Sequence, residues 1–164
     1  MDERPLGGWG TRVYEGLGYL GGAILAVMAA AVVGSVALRW LGSQLVDGLD
    51  ELPRFLFVWL VMIGAAAAMH RGHHTTLDFF RDRLGPRGRL VAILMTNVVG
   101  IVLFLSLIKT SFVLVPNSQL QTSASLGLPL GYVYAAVPVG SVLIILPMAW
   151  RAARVARELW QKPS

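Results

Sequence analysis

The chain has 164 residues, of which 55% are hydrophobic and only 14% are charged. This composition is too apolar for an ordinary water-soluble protein, and the length allows one domain. The net charge of +5 would suit a nucleic-acid-binding protein, but the basic residues flank apolar runs, where lipid headgroups attract them. The absence of cysteine excludes disulfides and thiolate sites. The sequence therefore predicts an all-α integral membrane protein, with residues 1–164 forming a single membrane domain that binds no nucleic acid.

Four apolar stretches are predicted to cross the membrane as helices, because backbone polar groups in hydrocarbon must pair within their own segment. They cover residues 17–38, 55–69, 90–115 and 128–150. The first is too long for a cleaved signal peptide, whose apolar region spans roughly 7–15 residues. Its Gly18-x-x-x-Gly22 spacing indicates close packing against another helix. The second is short, and we expect it to extend at both ends.

The connections are predicted to contain short amphipathic helices at the membrane surface. Residues 43–54 carry leucine and valine at near-helical spacing, with acidic residues on the other faces. This pattern favours a helix lying along the outer surface, and a solvated turn is the alternative. In the middle loop, Thr75 and Asp78 fit a helix-capping pattern, and Gly85-Pro86 ends the segment. We interpret it as a helix in the cytoplasmic interface.

Arginine and lysine residues predict the orientation. Eleven of them lie in segment 1–16, the middle loop and the carboxyl-terminal tail, whereas the two remaining connections hold only Arg39 and Arg54. Short loops rich in these residues stay in the cytoplasm. Both termini and the middle loop are therefore predicted to be cytoplasmic.

Few side chains offer chemistry. The three histidines, His70, His73 and His74, would share a helix face and could hold zinc or copper. Because cysteine is absent and Asp78 is the only nearby carboxylate, a polar cluster at the membrane boundary is favoured, and no metal site is predicted. Lys109 is the one charge inside a span. Its position near the outer helix end favours snorkelling, or pairing with a partner subunit, over an ion pathway.

Catalytic motifs are absent from the sequence. There is no Gly-x-Ser-x-Gly elbow, the Lys109-Thr110 pair lacks the glycines of a phosphate-binding loop, and no span contains two acids. The chain is therefore predicted not to be an enzyme. The residues leave two main alternatives, an accessory subunit or a self-sufficient small oligomeric transporter, and a weaker third, an intramembrane enzyme or haem anchor subunit.

Two groups of residues resemble a known family. The first group is Glu51-Leu52-Pro53-Arg54, Phe57-Val58-Trp59-Leu60, Gly64-Ala65-Ala66, Arg71-Gly72, His74 and Asp78. The second is Leu126-Gly127-Leu128-Pro129, Tyr134 and Pro138-Val139-Gly140. In this order on four spans, they resemble the small, DctQ-like membrane subunit of tripartite ATP-independent periplasmic (TRAP) transporters. The chain departs from that pattern at His70 and Thr75.

The resemblance implies a division of labour in a bacterial or archaeal inner membrane. A periplasmic binding protein captures an organic acid, and a large multi-span subunit carries it with sodium ions. The small subunit, surrounded by lipid, binds that large subunit and stabilises it. This chain would then hold no cofactor and no substrate-binding or catalytic residue, since the sodium ions bind to the large subunit.

The resemblance also implies structural or interface roles for nine residues: Glu51, Arg54, Trp59, Gly64, Arg71, His74, Asp78, Pro129 and Pro138. Lys109 is a further candidate, because of its charge within a span. We expect Arg71 and Asp78 to fix the turn that follows the second span. A further hypothesis is that the outer segment, residues 43–54, helps to seat the periplasmic protein.

Overall fold

The computed structural model describes residues 8–42, 47–70 and 86–161. These residues form four long helices and one short helix: α1 (Gly8–Trp40), α2 (Asp47–His70), α3 (Pro86–Ser118), α4 (Gly131–Tyr134) and α5 (Ala136–Gln161). Four segments are long and apolar enough to cross a membrane: Gly10–Trp40, Gly48–His70, Leu90–Ser118 and Gly131–Trp160. The fold class of four membrane-spanning helices is thus confirmed, whereas the cytoplasmic placement of the termini stays a prediction. The helix expected after Thr75 lies outside the described residues.

The beginning of α2 corrects one interpretation. Residues 47–54 are helical, but they continue without a break into the second span. The prediction of a separate helix along the outer surface was therefore wrong for residues 47–54, and residues 43–46 lie outside the described residues. Two acids at the start of α2 have partners elsewhere in the chain: Asp50 pairs with Arg39 at the end of α1, at 2.7 Å, and Glu51 binds the loop after α3. Pro53 is accommodated inside α2, as proline often is in membrane helices.

Two prolines shape the fourth span. Pro138 has no N–H to donate to the carbonyl oxygen of Tyr134, and the helix is interrupted just there, between α4 and α5. Ala135 joins the two helices, donating its N–H to Gly131 at 2.9 Å and accepting from Val139 at 3.4 Å. Pro147 lies inside α5 and is completely buried. A proline within a helix leaves the carbonyl four residues earlier without its usual donor, so Leu143 needs another partner.

The long helices lie side by side in a row. α1 packs along α2, α2 along α5, and α5 along α3. Within the described residues, no Cα atom of α1 lies within 8 Å of one in α3, so the row does not close around an interior. Of the most apolar stretch in each span, 33% is buried in the last span and only 6% in α3. The two helices at the ends of the row, α1 and α3, are therefore largely exposed to lipid or to other proteins.

Glycines allow the central helices to approach closely. A Cβ atom added at Gly140 of α5 would lie 2.5 Å from the Cβ of Met62 in α2, which is too near for any side chain. Gly100 of α3 faces the side chain of Met148 in the same way. In membranes, helices associate through this kind of close packing, because lipid supplies no hydrophobic force between them.

Candidate functional site

The connection between α3 and α4 is a folded turn. Thr122 and Pro129 form an antiparallel bridge, and the Ser123 N–H donates to the Leu128 carbonyl oxygen at 2.9 Å. Gly127 closes the turn with φ +63°, a left-handed conformation that other residues rarely adopt. Pro129 therefore lies within this turn, and its structural or interface role stays a prediction.

Glu51 of α2 binds this turn through its carboxylate. It accepts hydrogen bonds from the Ser123 hydroxyl, from the Ser125 N–H at 3.2 Å and from the Leu126 N–H at 3.3 Å. Amides inside a tight turn need an acceptor, and an ionised acceptor makes the stronger bonds. Gly48 lies one turn earlier, where a Cβ atom would come within 3.1 Å of the Leu126 side chain. We call Glu51, Ser123, Ser125 and Leu126 the outer anchor, since they fix the start of α2 to the loop at the end that the sequence predicts to face outward.

A second contact joins α2 to α4. The indole N–H of Trp59 donates to the carbonyl oxygen of Tyr132 at 3.3 Å. Trp59 thus takes a positioning role about two turns along α2 from Glu51. In contrast, the Arg39–Asp50 pair has side chains that are 69% and 46% exposed, and such ion pairs contribute less than about 1 kcal/mol.

At the other end of the helices, which the sequence predicts to face the cytoplasm, a buried cluster surrounds Tyr14. Its hydroxyl donates to the Leu143 carbonyl oxygen at 2.7 Å, which is the carbonyl that Pro147 leaves without a backbone donor. Its ring stacks on His70, the last residue of α2, with ring centres 4.6 Å apart and planes 10° from parallel. Tyr14 and His70 are each only 3% exposed. We call Tyr14, His70, Leu143 and Pro147 the inner anchor, since they join α1, α2 and α5.

The other predicted residues are scattered. Arg54 and Gly64 are exposed on α2, Lys109 is exposed on α3, and Pro138 lies in the first turn of α5. Arg71, His74 and Asp78 lie outside the described residues, so their roles stay predictions. The same holds for His73 and for the histidine cluster as a whole. Within the described ranges, no three histidine, cysteine or acidic side chains come together as metal ligands.

From Arg54 onward, the exposed positions of α2 form one face. They recur every three or four residues along the helix: Arg54, Phe57, Val61, Gly64, Ala65 and Ala68. Side chains at this spacing project from one side of a helix. A Cβ atom added at Gly64 would meet no heavy atom within 4 Å. We call these six residues the α2 face.

Polar side chains on α3 bond to their own helix. Six of them donate to the carbonyl oxygen four residues earlier: Thr96, Asn97, Ser106, Thr110, Ser111 and Ser118. Such bonds satisfy a hydroxyl or amide without a neighbouring helix. These six donors therefore need no acceptor on a neighbouring helix.

Tyr14 and Ser123 were missed by the sequence reasoning. Pro147 offered a signal for Tyr14, since a proline in an apolar helix frees a carbonyl that some donor must satisfy. The signal for Ser123 was weaker. The connection after α3 has no charged residue, so a carboxylate such as Glu51 can find only hydroxyl and amide donors there.

Comparison with known families decides the identity. The family described as "Tripartite ATP-independent periplasmic transporters, DctQ component" matches residues 28–158. The chain belongs to this family. The resemblance drawn from the sequence is thereby confirmed, and the DctQ-family chain is a small permease component of TRAP transporters, a multi-pass protein of the inner membrane.

Several relatives of the DctQ-family chain have been named. The sialic acid TRAP transporter small permease protein SiaQ of Vibrio cholerae is 25% identical over 122 residues, which are 74% of this chain and 70% of that protein. The C4-dicarboxylate TRAP transporter small permease protein DctQ of Rhodobacter capsulatus is 33% identical over 146 residues, 87% of this chain and 59% of that protein. The uncharacterised protein y4mM of Sinorhizobium fredii is 30% identical over 142 residues, 87% of this chain but only 26% of its own length. The Vibrio and Rhodobacter relatives are named as transporter subunits, which points away from an enzyme.

Proposed function

We propose that this chain is the accessory small subunit of a sodium-coupled TRAP transporter for an organic acid, and that it binds the large membrane subunit and stabilises it in the membrane. In this proposal both termini are cytoplasmic. Sodium ions and substrate bind to the large subunit, and a periplasmic protein delivers the substrate.

The α2 face carries this proposal. α2 has a neighbouring helix on each side, α1 and α5, yet the α2 face remains exposed. Its half nearer His70 consists of Gly64, Ala65 and Ala68. Lipid chains do not require small residues, whereas a partner helix does, because small side chains let two backbones approach. The α2 face is therefore suited to a helix of the large subunit.

Two further observations support an accessory role over a self-sufficient transporter. The polar side chains of α3 that could line a pathway are bonded to their own helix. The match to the Sinorhizobium protein covers 26% of that protein, so in this relative a domain of this type is covalently joined to further polypeptide. A stable association with another membrane protein is in keeping with that arrangement.

Co-purification with the large subunit tests the proposal. The tagged chain is co-expressed with the large subunit, and Gly64→Leu is compared with Ala26→Leu, a matched change on the exposed surface of α1. Because Gly64 has open space beside it, Gly64→Leu should leave the amount of small subunit in the membrane unchanged. It should lower both the amount of large subunit recovered and sodium-driven uptake in vesicles, and Ala26→Leu should do neither. Full recovery and uptake with Gly64→Leu would contradict the α2 face as the interface, and sodium-driven uptake by this chain alone would overturn the accessory role.

The outer end offers a second partner prediction. We infer that the periplasmic protein contacts the start of α2 and the outer anchor loop, where Asp50 and Leu120 are exposed. Asp50→Lys should weaken binding of that protein to the assembled transporter, measured by surface plasmon resonance. Unchanged binding would remove this contact from the proposal while leaving the interface with the large subunit intact.

A further inference from the structure

An apolar groove lies at the same end of the helices as the inner anchor. It has a volume of about 550 Å³ and separates the beginning of α1 from the second half of α5. Its walls include Val13 and Tyr14 on α1 and Leu143, Leu146, Trp150 and Ala153 on α5. The hydrogen bond from Tyr14 to Leu143 lies at its deep end, which is the end nearer the middle of the membrane.

The length of the groove matches one membrane leaflet. From Leu143 to Ala153, α5 rises about 15 Å at about 1.5 Å per residue. The hydrocarbon core of a bilayer is about 30 Å thick, so one leaflet contributes about 15 Å. Trp150 is half exposed near the shallow end, where tryptophan commonly marks the boundary with the headgroups.

Positive charge follows the groove along the same face of α5. Arg154 and Arg157 come one helical turn after Trp150 and Ala153, and both are exposed. Glu158 is the only acid in residues 151–161, which also contain Arg151. The mouth of an apolar groove is therefore cationic, a combination that fits a lipid with a negatively charged headgroup.

We propose that this groove binds one acyl chain of an anionic phospholipid in the leaflet nearest the arginines, with the lipid phosphate against Arg154 and Arg157. A protein helix fits less well. With side chains a helix is about 10 Å across, so a helical segment about 15 Å long occupies roughly 1,200 Å³. This is more than the space in the groove, whereas an acyl chain is far thinner.

Photocrosslinking tests the site directly. The full chain, co-purified with the large subunit, is placed in phosphatidylcholine nanodiscs that contain a small fraction of phosphatidylglycerol with a diazirine on one acyl chain. Crosslinked peptides should map to residues 143–153, and the same probe on phosphatidylcholine should label them less. Removing each arginine should reduce labelling about fivefold, the factor that corresponds to the attraction of one arginine to an anionic surface. Arg154→Gln and Arg157→Gln are therefore compared with Arg39→Gln at the outer end of α1, which should have no effect.

Filling the groove provides the second arm. Ala149 also lines the groove, so Ala149→Phe should reduce labelling by both lipids, while Ala26→Phe on α1 should not. Equal labelling by the two lipids, or labelling that Ala149→Phe and both arginine variants leave unchanged, would overturn the proposal. So would an Ala149→Phe variant that keeps its lipid labelling but loses the large subunit, since the groove would then hold a protein. An Ala149→Phe variant that recovers the large subunit at wild-type yield but loses lipid labelling supports the proposal and leaves the interface on the α2 face untouched.

Discussion

Tyr14 and Pro147 should act as a coupled pair. Pro147 withdraws the backbone donor from the Leu143 carbonyl, and the Tyr14 hydroxyl replaces it at 2.7 Å. Tyr14→Phe removes this donor but keeps the ring that stacks on His70. Pro147→Ala restores a backbone N–H four residues after Leu143, so the tyrosine hydroxyl is no longer needed there.

The magnitudes follow from burial. Hydrogen bonds between membrane helices contribute about 0.6 kcal/mol on average and at most about 1.7 kcal/mol. An acceptor left buried without a donor costs about 1–3 kcal/mol, and Tyr14 is only 3% exposed. We therefore expect Tyr14→Phe to lower the free energy of unfolding by about 1–3 kcal/mol with Pro147 present. In the Pro147→Ala background the loss should fall below about 0.6 kcal/mol.

A double-mutant cycle in mixed micelles measures this coupling. Unfolding by sodium dodecyl sulfate can be followed through the five tryptophans, and the cycle cancels the packing cost of Pro147→Ala itself. Tyr132→Phe is the matched control, because Tyr132 is 64% exposed. Equal losses for Tyr14→Phe in the two backgrounds would refute the pairing of the hydroxyl with the freed carbonyl.

Three further predictions concern the loop and the helix contacts. Glu51→Ala should speed hydrogen–deuterium exchange of the outer anchor amides, whereas Asp50→Asn should not; equal exchange in both would remove Glu51 as their acceptor. Gly140→Ala should cost about 1–3 kcal/mol on unfolding and more than Gly100→Ala, because Gly140 faces a Cβ that cannot move away, while Gly100 faces a flexible side-chain end. Gly127→Ala should cost about 1–2 kcal/mol through its left-handed φ, and an unchanged unfolding curve would contradict that conformation.

The spans could be predicted from the sequence because they depend on one-dimensional information. Uninterrupted apolar length and the pairing of backbone groups in lipid determine that each stretch is a helix. The path of residues 47–54 was not predictable in the same way. Their amphipathic spacing suits either a helix on the surface or the start of a spanning helix. Only the bonds from Glu51 to the loop after α3, more than 70 residues further along the chain, decide between them.

The candidate sites were predictable in part, for a related reason. Glu51 and Trp59 were singled out, but their partners, Ser123 and the Tyr132 carbonyl, lie more than 70 residues further along the chain. Gly64 was expected to be an interface residue, and the structure leaves it exposed with nothing beside it. Whether a glycine packs within its own chain or against a partner depends on the order of the helices. That order, with α5 between α2 and α3, cannot be read from four similar apolar segments.

The four long helices form an open row, so the chain offers surfaces rather than an enclosed interior for its proposed function. In lipid, apolar faces gain nothing by burial, so four helices need not close into a bundle unless specific contacts require it. Here those contacts are the close packing at Gly140 and the two anchors, which satisfy polar groups at opposite ends of the helices. The outer anchor fixes α2 to the loop before α4, and the inner anchor fixes α1 and α2 to α5. Because α2 is fixed at both ends, the α2 face has the same shape before and after a partner binds. A preformed surface loses less conformational entropy on binding. A preformed surface of this kind suits the proposed role of binding a larger subunit.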